Sequence, residues 1–171
     1  MALADQLVSL HRFLRARRRV RWDWAIPLVA LLAFLTLVQI WWTIAQPGAR
    51  SLTIGAFLPT LVELVLLLLL ASAVLPDEVP SEGLDLRAYY HENGGYIWTL
   101  FAAALAWLVF TDLVSTSSRI GLYRAALRQQ GEFMVLAVML SLVFVRNRWW
   151  NGIALLALSS GPAGWLSRSL G

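Results

Sequence analysis

Cysteine and lysine are both missing from this chain of 171 residues, and histidine occurs only as His11 and His91. Without thiols there is no disulfide, thiolate nucleophile, Fe–S cluster or thiolate zinc site. Without a lysine amine, Schiff-base and lysine general-base chemistry are excluded. Two imidazoles cannot build a three-histidine metal centre, and a Ser–His pair would have to use one of them. Charge is scarce as well: Asp, Glu, Lys and Arg make 14% of the residues, where a soluble domain carries about 25%. No GxSxG elbow, P-loop or GxGxxG fingerprint occurs, and the HExxH pattern that His91-Glu92 opens is broken at Gly95. These gaps weigh against an enzyme, and no catalytic residue, cofactor or metal is expected.

What remains is apolar. The set AVILMFWYC makes 59% of the chain, and the mean hydropathy is +0.67. An apolar excess with a charge deficit marks an integral membrane protein. Residues 1–23 form a basic prelude with six arginines, in which Leu7, Leu10, Phe13 and Leu14 make an apolar stripe. That pattern predicts an amphipathic helix on the cytoplasmic membrane surface, its arginines against anionic lipid headgroups. Lipid anchoring explains the basic charge more simply than a nucleic-acid partner.

Residues 24–168 read as one all-α transmembrane helical bundle. Apolar runs predict five spans, at 24–44, 53–75, 96–116, 133–145 and 149–166. The fourth is short for a hydrocarbon core about 30 Å thick and must borrow neighbours such as Glu132, tilt little or sit in a thinned bilayer. The fifth is interrupted by SSGPAG, so the alternative is four spans and an interfacial C-terminal helix. The polar turn RNRWWN predicts that the last two runs form a hairpin. Arginine placement orients the bundle with the N-terminus inside: nine (Arg12, Arg15, Arg17, Arg18, Arg19, Arg21, Arg87, Arg146, Arg148) lie inside and five (Arg50, Arg119, Arg124, Arg128, Arg168) outside.

The loop before the third span, PDEVPSEGLDLRAYYHENGG, sets five carboxylates against Arg87. Asp85 can cap a short helix running through His91, with Gly94-Gly95 as its stop. Asp77, Glu78, Asp85, Arg87 and His91 make a candidate cytoplasmic site for a divalent cation or a partner. The competing reading is a solvated connector, since the spacing does not match a Ca²⁺ loop. The pattern LPDE…DLRAYY…N, from Leu75 to Asn93, resembles a loop of uncharacterised multi-pass membrane proteins of bacteria. The resemblance covers about a tenth of the chain; it implies a bacterial inner membrane and carries no activity.

Glu63 falls near the centre of the second span. A carboxylate there costs about 2.5–3.5 kcal/mol on insertion scales, so it should face the bundle and be protonated or hydrogen-bonded. Depth counting places Thr36, Gln39, Thr60 and Asp112 with it in a polar column, a candidate proton or cation site. The competing role is interhelical hydrogen-bonding glue. The functional expectation is a structural or accessory subunit of a membrane assembly. The alternatives are a small proton- or cation-coupled carrier or channel subunit using Glu63 and, with least support, a lipid-modifying enzyme. Five spans are few for a lone carrier, so a homo-oligomer or a membrane-protein partner is expected.

Overall fold

The computed structural model describes residues 11, 20–45, 54–75, 83–145 and 147–166. Among these the chain is helical apart from two short paired strands. The order is β1 (Val20–Arg21), α1 (Ala25–Ala45), α2 (Ile54–Val74), β2 (Leu84–Asp85), α3 (Leu86–Ile120), α4 (Leu122–Arg128), α5 (Gln130–Phe144) and α6 (Arg148–Leu166). The arginines at 12–19, Asp77, Glu78 and Arg146 lie outside the described residues, as does most of the predicted amphipathic segment; at its end Val20–Arg21 form β1, not helix.

Successive long helices run up and down. α3 packs on α2, α5 and α1, while α1 also meets α2 and α6, and α5 meets α6. Three helices, α1, α2 and α3, are long and apolar enough to cross a membrane, or four if α4 and α5 together make one bent span. At about 1.5 Å per residue the 21 residues of α2 reach about 31 Å, matching a hydrocarbon core. The 35 residues of α3 reach about 52 Å, well over the thickness of a hydrocarbon core of about 30 Å. α6, although 19 residues long, is not in the set that meets both tests.

Two expectations about the third span change. The short loop helix and the span are one helix, and Gly94-Gly95 does not stop it. Gly94 is buried, and a Cβ there would lie 3.5 Å from the Tyr90 ring; a Cβ on Gly95 would lie 3.7 Å from the Val143 carbonyl oxygen. Both are ordinary van der Waals distances, so a side-chain methyl fits at either position and the helix simply runs on through the pair. Helix capping by glycine needs a left-handed turn, and among the described residues only Gly83 and Gly121 have positive φ. Asp85 does cap α3: its carboxylate accepts from the backbone N–H of Arg87 at 2.9 Å and of Ala88 at 3.3 Å.

The short fourth run also differs from a simple span. α5 begins at Gln130, taking in Glu132, and meets α4 at a 63° bend around Gln129. The predicted hairpin of the last two runs is present. Asn147 caps α6 by accepting from the Trp149 N–H at 3.0 Å, and the Trp150 indole donates to Ser141 on α5 at 2.9 Å.

The core lies toward one end. Its buried residues include Ile26 and Val29 of α1, Leu70 and Val74 of α2, Ile97 and Trp98 of α3, Leu142 of α5 and Leu155 of α6. This is the end where β1 and β2 pair in parallel, Val20 opposite Leu84 and Arg21 opposite Asp85. Toward the other end Phe57, Leu58 and Leu61 of α2 and Phe110 and Val114 of α3 stay exposed. In water such a row would be an aggregation hazard; in a bilayer it faces hydrocarbon or another helix.

Candidate functional site

Two places hold polar groups where burial makes them costly. The first is Glu63. The helical phase of α2 carries it inward, and it is 7% exposed, with Oε2 finding no hydrogen-bond donor among the described residues. One turn earlier Pro59 sits inside α2, and the Trp107 indole of α3 donates to its carbonyl oxygen at 2.9 Å. Trp107 is thus a polar clamp between two helices.

The proposed partners of Glu63 spend their polar atoms in several ways. The Thr36 hydroxyl donates to the Leu32 carbonyl of its own helix at 2.9 Å. Gln39 is half-buried and has an interaction partner. Thr60 is half-buried. Asp112 is exposed, and its carboxylate accepts from the side-chain amide of Gln129, which is buried at the corner between α4 and α5. Asp112 therefore ties α3 to that bend.

The second place is a cavity of about 120 Å³ at the end that holds the core. Four elements build it. The turn before α1 brings Asp23 and Trp24; α3 brings Arg87, Tyr90, His91 and Trp98; α5 brings Leu142; α6 brings Asn151. Arg87 and His91 share a face because they are four residues apart on a helix. So do Tyr90, Gly94 and Trp98, which are spaced at four-residue intervals, and the Trp98 indole donates to the Tyr90 hydroxyl at 2.8 Å. Tyr89 faces another way and donates to the Ala73 carbonyl at 2.8 Å, fastening α3 to the end of α2.

The chemistry of this cavity is mixed. Asp23 accepts from the Ala25 N–H at 3.0 Å, capping α1. Arg87 has no carboxylate partner among the described residues; the ion pair at this end joins Arg21 to Asp85 at 3.6 Å instead. Asn151 is 8% exposed and its Oδ1 has no donor among the described residues. Leaving such an acceptor buried and unmet costs about 1–3 kcal/mol. Aromatic walls, a guanidinium without a described carboxylate partner and an acceptor without a described donor together suit a small polar ligand.

The predicted loop cluster is thereby divided. Arg87 and His91 line the cavity, whereas Asp85 is committed to capping α3 and pairing with Arg21. Asp23, Tyr90, Trp98 and Asn151 were not singled out as site residues from the sequence. For Asn151 the signal was there: Asn147 is a helix cap, which places Asn151 one turn inside α6, with its N–H bonded to the Asn147 carbonyl at 3.0 Å. No family model, curated protein or solved structure matches the chain.

Proposed function

We propose that the protein is an accessory subunit of a membrane assembly in a bacterial inner membrane, with its N-terminus inside and five spans. The observation that carries this reading is the one-sided core. The helices pack tightly near β1 and β2, while Phe57, Leu58 and Leu61 on α2 and Phe110 and Val114 on α3 are exposed at the other end. Helix association in lipid depends on packing and polar contacts between helices, and a half-packed bundle gains both from a neighbouring subunit. The cysteine-free chain makes the test clean. Single cysteines at Leu61 and Phe110 should cross-link to another polypeptide in native membranes, and the native particle should exceed the mass of the purified chain. A particle of chain mass, with neither site cross-linking, refutes the proposal.

Glu63 supports a second reading, a proton- or cation-conducting subunit, because it is buried with an oxygen unmet by any described donor. Glu63→Gln keeps the shape while removing titration. It should abolish pH-driven ion movement in reconstituted vesicles if this reading holds, and leave any such movement unchanged if Glu63 is only structural.

A further inference from the structure

We propose that the cavity between Asp23, Arg87, His91 and Asn151 binds the headgroup of a phospholipid whose phosphodiester carries its own terminal hydrogen-bond donor. The position comes first. The cavity lies where α1, α3 and α6 begin and α5 ends, and Trp24 and Trp98 form its walls, residues that favour the headgroup level of a bilayer. With its first turns beyond the hydrocarbon, α3 would hold the exposed Arg87 and His91 at the headgroup level. The Tyr90–Trp98 pair is the border between the wet cavity and the core.

Charge and hydrogen bonding then select the ligand. Arg87 offers a guanidinium without a described carboxylate partner, and that planar donor set matches phosphate oxygens. The Tyr90 hydroxyl accepts from Trp98 and keeps its own proton to donate. Those donors favour an anionic oxygen. Yet Asp23 and the Asn151 Oδ1 line the same space as acceptors. A bare phosphate would leave Asn151 unmet and crowd Asp23. A phosphodiester ending in an ammonium or hydroxyl satisfies both ends at once. A cavity of about 120 Å³ holds roughly eight water-sized groups, enough for such a headgroup but not for its acyl chains. The chains would follow the apolar helix surfaces. This proposal is independent of the subunit reading, since it concerns a site within one chain.

The test is lipid retention by the purified full chain, read by native mass spectrometry after exchange into defined lipids. Phosphatidylethanolamine and phosphatidylcholine share net charge but differ in the donor, so their comparison isolates the site from general attraction to arginine. Phosphatidylethanolamine and phosphatidylglycerol should each be retained about tenfold over phosphatidylcholine, a discrimination expected when a buried acceptor is left unmet by the wrong ligand. Arg87→Gln should bring the three lipids close to parity, and Asn151→Leu should erase the preference for phosphatidylethanolamine over phosphatidylcholine. His91→Gln, at an exposed position, is a second variant with a partial loss expected, and it serves if Asn151→Leu fails to fold. Arg124→Gln, on α4 at the other end, should change nothing. Equal retention of phosphatidylethanolamine and phosphatidylcholine by the native chain overturns the proposal, as does full retention in Arg87→Gln. Displacement of bound lipid by millimolar inorganic phosphate would identify free phosphate as the ligand and overturn the lipid assignment.

Discussion

Exchanging Trp98 for Phe probes the contact that separates the cavity from the core. Trp98 is 1% exposed, its ring centroid lies 5.3 Å from that of Phe101, and its indole donates to the Tyr90 hydroxyl. The substitution removes part of a buried ring, which costs roughly 2 kcal/mol in a core that relaxes only partly. It also removes a hydrogen bond with a net value of about 1 kcal/mol. Tyr90→Phe acts differently. It deletes little volume but leaves the indole N–H buried without its acceptor, a cost of about 1–3 kcal/mol. In the double variant no donor is stranded, so the two losses should not add. The shortfall, about 1 kcal/mol, is the coupling between the two side chains. The assay is reversible unfolding in mixed micelles, followed by far-UV circular dichroism because tryptophan fluorescence changes with the substitution itself. Losses that sum to within about 0.3 kcal/mol would show that the two rings act independently.

Other substitutions test the remaining joints. Trp107→Phe removes the donor to the Pro59 carbonyl and should cost about 0.5–1.5 kcal/mol in the same unfolding assay, with helix content unchanged. Asp112→Ala strands the buried Gln129 amide and should raise hydrogen exchange across 122–130, while exchange in α1 stays as it was. Gly95→Ala should be nearly neutral, since its Cβ would meet only the Val143 carbonyl at 3.7 Å. Gly152→Leu should push out the Trp24 ring, whose nearest atom would lie 3.3 Å from a Cβ there, and shift its emission. Reporter fusions after Trp149 and after Gly171 should report opposite membrane sides; the same side for both would leave four spans and an interfacial α6.

How far the sequence reaches into this structure depends on the kind of signal. Long apolar runs register directly, because a bilayer leaves a helix as the simplest way to satisfy every backbone group; α1, α2 and the body of α3 follow from them. The inward phase of Glu63 was also legible, since a carboxylate is too costly to leave facing lipid. Glycine was not. Gly94-Gly95 after a short polar helix has the composition of a stop, yet a glycine ends a helix in this way only where the backbone turns left-handed, and neither residue does so. The bend at Gln129 was hidden for a related reason. Nothing in LRQQGE marks the break, and the bend is fixed by Gln129 reaching back to Asp112, 17 residues earlier. The cavity was half visible. Arg87 and His91 stand out as charge-bearing groups at helical spacing, but Asn151 gains its meaning from burial against a turn that lies more than a hundred residues before it in the chain. What made the polar column plausible, equal depth in the bilayer, says nothing about azimuth around each helix. Azimuth is what sends Thr36 back to its own backbone and Asp112 to the corner. Depth can be counted along a sequence at 1.5 Å per residue; which neighbour a side chain meets at that depth is set by the packing of α3 against four other helices at once.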